Sequence, residues 1–84
     1  MESGQAMREP TPGEVAVGLT FNPSGDEKVQ KVKELCAQVF DIIEGCVPPD
    51  DGTIPTARKR KMRDAALHEL VTAQMWAVKV ITLK

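Results

Sequence analysis

Eighty-four residues, 42% hydrophobic and 27% charged with a formal net charge of −1, are the size of one small domain. A chain near this size buries only about 60% of its unfolded surface, so a disulfide, a metal or a second copy is expected to complete it. No apolar run approaches the roughly 20 residues that span a bilayer, the N-terminus lacks the apolar core of a signal peptide, and a slightly acidic balance argues against a general nucleic-acid binder.

Residues 1–13 are polar and carry Gly4, Pro10, Pro12 and Gly13, which predicts a flexible tail. Residues 14–21 alternate weakly, with Val15, Val17 and Leu19 on one side. They read as a short N-terminal arm, extended or a helical turn, of the kind that lies on a neighbouring subunit. Phe21-Asn22-Pro23-Ser24-Gly25-Asp26-Glu27 is a helix start. Asn22 can cap a helix whose first residue is Pro23, because proline's missing N–H is not needed there. Ser24 with Glu27 offers a capping box instead. Asp26 and Glu27 suit the positive end of the helix dipole, and Phe21 can staple onto the first turn.

The first long helix is predicted over about 23–44, with Val29, Val32, Cys36, Val39, Phe40 and Ile43 on one stripe, Leu35 and Ile42 widening it, and Gly45 at the C-terminal cap. Cys36 on that stripe reads as a buried free thiol. Two cysteines, Cys36 and Cys46, are too few for a disulfide framework and fit no zinc spacing, which points to a reducing, intracellular compartment. The loop 45–55 holds Pro48, Pro49 and Gly52, cannot be helical, and returns the chain antiparallel.

The second helix is predicted over about 56–83. Met62, Ala66, Leu70, Ala73, Ala77 and Val80 follow steps of three and four, and Leu67, Val71, Val78 and Ile81 follow the same steps about a quarter-turn away. A surface helix needs one apolar stripe of roughly 100°. The surplus predicts that other copies of the chain cover the rest. The expected fold class is all-α: residues 14–84 form a single antiparallel helical hairpin with a short N-terminal arm, completed by homo-oligomerisation. Residues 1–56 carry 4 basic and 10 acidic side chains and residues 57–84 carry 7 and 2. Arg58, Lys59, Arg60, Lys61 and Arg63 crowd the first turns of the second helix, where positive charge is disfavoured by a few tenths of a kcal/mol each. Such a cost points to anion binding or to pairing with acidic surface; the plainer alternative is a solvated helix end.

No catalytic constellation is present. The single histidine, His68, sits beside Glu69 and reads as a surface or interface residue. There is no Gly-rich phosphate loop, and Asp50-Asp51-Gly52 reads as a solvated turn rather than a metal site. The chain is expected not to be an enzyme and to carry no metal or cofactor. Without tyrosine and with 4% aromatic residues, it cannot offer a multi-base stacking platform within one subunit. Phe21 and Trp76 are the candidates for stacking on a base, with Trp76 expected first of all to be hydrophobic core.

Phe21-Asn22-Pro23-Ser24-Gly25, opening a helix with Val29 and Val32-Lys33, followed by a helix reading Ala73-x-Met75-Trp76-Ala77-Val78-Lys79, resembles small phage proteins of the helical-hairpin type. These are the anti-CBASS sponge proteins, which share their domain with the Thoeris anti-defence sponges. The resemblance covers roughly residues 17 to 84. The chain departs from it in a longer loop and basic segment, Pro48 to Lys61, and in Phe21, where a tyrosine would add a hydrogen bond. The resemblance implies a phage protein in the cytoplasm of the infected bacterium that binds cyclic oligonucleotides made by immune synthases and withholds them, undegraded, from their effectors. It also implies a homohexamer built as a trimer of dimers, with cyclic dinucleotides such as cyclic GMP–AMP between paired subunits and, in some members, cyclic trinucleotides in separate pockets. Membrane and genomic nucleic acid are not expected partners.

Such a pocket needs positive charge or N–H donors for two phosphates, and aromatic faces with polar groups for two bases. Phe21 is expected to stack on a base, with Asn22 or Ser24 hydrogen-bonding it. Lys33, or Lys31 one face round, would approach a phosphate, with Arg63 and Lys79 as further cationic candidates. The competing reading is a small oligomeric adaptor that binds DNA or protein through the basic segment Arg58–Arg63. A plain structural oligomer is a third.

Overall fold

The computed structural model describes residues 9–84, all of whose regular structure is helical: α1 (Pro12–Val17), α2 (Glu27–Glu44) and α3 (Ile54–Thr82). Most of the predicted tail lies outside the described residues, but its last two positions, Pro12 and Gly13, already belong to α1. Of the two forms open to the arm, the chain takes the helical one. Thr11 caps α1 through a closed capping box, its hydroxyl accepting from the Glu14 amide at 3.1 Å and the Glu14 carboxylate accepting from the Thr11 amide at 3.0 Å. Gly18 ends the helix in the left-handed region at φ 63.

Six residues cannot hold a helix in water unaided, so α1 depends on docking. It docks through Gly13, whose amide donates to the Asp41 carboxylate at 2.8 Å. A Cβ at Gly13 would stand 2.3 Å from the Ala37 carbonyl oxygen, so only glycine permits this approach. Gly13 lies at Ala37 and Asp41 while Gly18 lies beside Lys33, so α1 runs antiparallel to α2.

The start of α2 differs from expectation. Asp26, not Asn22 or Ser24, caps it, accepting from the Lys28 amide at 2.7 Å, and the helix begins at Glu27 rather than near Pro23. The reason is Gly25, which at φ 67 takes the backbone off any helical path. Asn22 to Gly25 form a turn in which Ser24 donates to the Asn22 side-chain oxygen at 2.8 Å and accepts from the Asp26 amide at 3.2 Å. Gly45 stands at the C-terminal cap of α2. The connection turns on Asp50 and Asp51, which accept from the Gly52 and Thr53 amides at 2.9 and 3.0 Å. Thr53 then caps α3, which starts at Ile54, two residues before the predicted position.

Residues from the first half of α2, Val29 and Lys33, share a recess with Val78 and Thr82 from the end of α3, so the two long helices form an antiparallel hairpin. Twenty-nine residues of α3 span about 43 Å at 1.5 Å per residue, close to the longest dimension of the molecule, 47 Å. Its smallest dimension is 13 Å, barely more than one helix diameter of about 10–12 Å. A layer this thin cannot enclose much. Among the described residues the buried hydrophobics are Val17, Val29 and Ala37. Met62, Met75, Trp76 and Val80 on α3 and Leu35, Val39 and Ile42 on α2 are exposed. Trp76, expected in the core, is 64% exposed within the chain, and Cys36 is half-buried, with burial raising its thiol pKa.

Candidate functional site

The buried line of α2 is Val29, Lys33, Ala37, one helical turn apart each time. A lysine in that line looks misplaced until its partners are counted. Only 6% of Lys33 is exposed, and its ammonium donates to the carbonyls of Gly18, at 3.1 Å, and Phe21. The same nitrogen stands 5.5 Å from the centre of the Phe21 ring. Lys33 thus holds both ends of the segment between α1 and the turn before α2. No salt bridge pairs it among the described residues. An ammonium has three donors, two of them spent on neutral carbonyls here, so the site holds a buried positive charge with one donor left and no counter-ion.

Phe21 lies above this charge and is 69% exposed. It shares a recess with Val29 of the first turn of α2. Asn22 donates to the Asp26 carbonyl at 3.1 Å and to the Gln30 side chain at 3.5 Å, and Gln30 in turn donates to the Leu19 carbonyl at 3.5 Å. Asn22 and Ser24 therefore build the turn that presents Phe21. Both residues line a recess of 230 Å³ together with Phe21, Lys33, Val78 and Thr82.

A second recess of 440 Å³ lies on the other side of Lys33, between α1 and α3, where Val15, Gly18, Gln74, Met75 and Lys79 contribute. The two recesses share Lys33 and Val78. Lys79 stands at the edge of the second, its ammonium 5.7 Å from the Trp76 ring, and a third hollow of 300 Å³ continues past Thr72 and Trp76. Cation and aromatic face thus occur twice, Lys33 with Phe21 and Lys79 with Trp76, along one edge of the hairpin.

Of the candidates read from sequence, Phe21, Asn22, Ser24 and Lys33 meet around one recess, and Lys79 joins the adjoining one. Lys31 is exposed and, two residues from Lys33, points away from it. Arg63 lies sixteen residues before Lys79, about 24 Å along α3, and pairs with Asp64 at 3.0 Å. Neither reaches the site within one chain. Arg58, Lys59 and Lys61 are exposed at the same distant end. Gln74 was not anticipated: it falls between apolar rows in the pattern, yet only 5% of it is exposed and it lines the second recess. Among the described residues no group of three or more His, Cys, Asp or Glu could hold a metal ion, and no helix is long and apolar enough to cross a membrane.

The family described as Acb2/Tad1, hairpin domain, matches this chain over residues 12–82, a span that includes α1, the Phe21 turn and both long helices. No curated protein and no solved structure shows a significant match.

Proposed function

The chain belongs to the Acb2/Tad1 hairpin-domain family, that of the anti-CBASS and anti-Thoeris sponges, and on that premise we propose that it is a phage immune-evasion protein that binds a cyclic oligonucleotide second messenger and withholds it, intact, from its effector. The observation that carries the reading is the Lys33 ammonium, buried without a counter-ion among the described residues and beneath an exposed aromatic ring. A phosphate of the ligand would supply the missing charge. Phe21 would stack on one base, with Asn22 and Ser24 at its edge, and the second base would enter the recess on the other side of Lys33, where Lys79 adds a cation.

Sequestration needs no bond-making step, so in this reading the protein is not an enzyme and needs neither metal nor cofactor. It works in the cytoplasm of the infected host. Assembly is part of the proposal. A chain 13 Å thin with Met62, Met75, Trp76 and Val80 exposed suits a homo-oligomer, a hexamer made as a trimer of dimers. Lys31 and Arg63, remote from the site in their own chain, would then reach ligand only from a neighbouring copy.

The test is calorimetric titration with cyclic GMP–AMP, with solution mass measured alongside and the ligand recovered after denaturation. Binding of intact nucleotide by an oligomer is expected, lost in Phe21→Ala with the mass unchanged. Trp76 emission is expected to shift to the blue as the oligomer forms from dilute chains. A folded oligomer that takes up neither cyclic dinucleotides nor cyclic trinucleotides would sink the proposal. Salt-sensitive binding to duplex DNA, weakened on replacing Arg58, Lys59, Arg60, Lys61 and Arg63, would establish the adaptor reading instead.

A further inference from the structure

Gln74 carries a side-chain amide with two donors and an oxygen acceptor. Only 5% of the residue is exposed, and among the described residues its side chain has no hydrogen-bond partner. Burying an amide without partners is unfavourable, and such a group in a folded protein calls for an explanation. Its place supplies one. Gln74 lines the recess between α1 and α3, with Val71 and Val78 one turn before and after it and Lys33 and Lys79 in the same lining. A largely apolar recess with two cations in its lining and one unpaired amide suits a flat, partly polar group attached to an anion.

We propose that Gln74 reads the edge of an adenine base in this recess and so sets which cyclic nucleotide the protein prefers. An amide presents a donor beside an acceptor, and adenine answers with its N7 acceptor and exocyclic N6 donor. The corresponding edge of guanine, N7 and O6, offers two acceptors and leaves the Gln74 oxygen unpaired. A pocket that leaves a buried polar group unpaired rejects the wrong ligand strongly. This inference rests on the cyclic-nucleotide reading above. It adds a specificity-determining residue at the far side of Lys33 from Phe21.

Gln74→Met, an apolar side chain of similar length, tests it, with Gln74→Leu as a second variant. The thermal midpoint is measured without ligand, and each protein is titrated with cyclic di-AMP and cyclic di-GMP. The expected result is a midpoint equal to or above that of the wild type in at least one variant, because an unpaired buried amide has been removed. Affinity for cyclic di-AMP falls about 10- to 100-fold, the discrimination a bidentate amide–adenine pair supplies, while affinity for cyclic di-GMP does not fall. A midpoint lowered in both variants overturns the inference, since the amide would then have a partner in the free protein. Undiminished affinity for cyclic di-AMP in a folded variant overturns it alone, leaving the sponge reading intact. A wild-type protein that binds neither dinucleotide overturns it together with the dinucleotide form of that reading.

Discussion

Replacing Lys33 by methionine separates its structural work from its charge. Methionine keeps the unbranched stem that fills the space along α2 and deletes the ammonium. Two bonds disappear, to the carbonyls of Gly18 and Phe21. Hydrogen bonds to a charged group are worth about 1.5–3 kcal/mol each, so the gross loss is about 3–6 kcal/mol. Two effects reduce it. The variant no longer strips water from an ammonium. The residues that own the carbonyls, half-buried Gly18 and exposed Phe21, lie near enough to solvent for water to replace part of what is lost. A net destabilisation of about 2 kcal/mol follows, which lowers the thermal midpoint of a small domain by about 8–16 °C. Circular dichroism melts at a fixed protein concentration measure it, since assembly would make the midpoint concentration-dependent. Hydrogen exchange in the segment 18–26 is the sharper readout: its amides should lose protection while those in the middle of α3 keep theirs. Lys33→Arg should recover part of the stability, because a guanidinium can reach both carbonyls but cannot sit as a compact point donor. A Lys33→Met protein with wild-type midpoint and unchanged exchange in 18–26 would refute the account of Lys33 as the clamp of that segment.

Gly13→Ala should undock α1, since its new Cβ would meet the Ala37 carbonyl oxygen at 2.3 Å and the amide bond to Asp41 would lengthen. Overpacking of this kind costs about 1–3 kcal/mol, and here the upper end is expected, read as a lower melting point with exchange accelerated across 12–17. Asp51, fully exposed, has its carboxyl held below the usual 3.8, first by the Thr53 hydroxyl and then by the Thr53 amide. A depressed carboxylate contributes stability that is fully present above its unfolded value and is lost as pH falls through the lower folded value. The cap of α3 should therefore weaken below about pH 3.8, and Asp51→Asn should remove that component from the acid melting profile.

The hairpin was legible because its signals are local. Two prolines and a glycine break the chain at Pro48, Pro49 and Gly52, and apolar steps of three and four mark the helices on either side. The start of α2 is not legible, for an equally local reason. Asn22, Ser24 and Asp26 are all competent caps, and the choice among them depends on the sign of φ at Gly25, which sequence does not reveal. The exposure of Trp76 is not legible in the sequence because burial of a helix face depends on how many layers a chain can stack. A chain 13 Å thin has no second layer of its own, so the most apolar helix keeps its tryptophan at the surface.

The site follows a different logic, and Lys33 shows it. Periodicity put Val29, Val32 and Cys36 on the inner stripe of α2, yet the line with least exposure is Val29, Lys33, Ala37, with Asp41 next along it. Two of those four are charged because the partner on that side is a short helix and a turn. Such a partner has backbone groups at its ends that no helix satisfies: the Gly13 amide at one end, the Gly18 and Phe21 carbonyls at the other. The acceptor Asp41 stands at the end that needs an acceptor, and the donor Lys33 at the end that needs donors. A pattern rule that sorts residues into apolar core and polar surface must place both outside. The same pairing explains why the candidate site is where it is. Asp41 gives its charge to an amide at the far end of α1, so it cannot neutralise Lys33, and α3 brings a lysine, Lys79, rather than a carboxylate to that edge. The fold's own solution to docking α1 thus leaves one buried cation without a counter-ion among the described residues, beside an exposed aromatic ring, and the proposed ligand, an anion carrying a flat ring, would answer it.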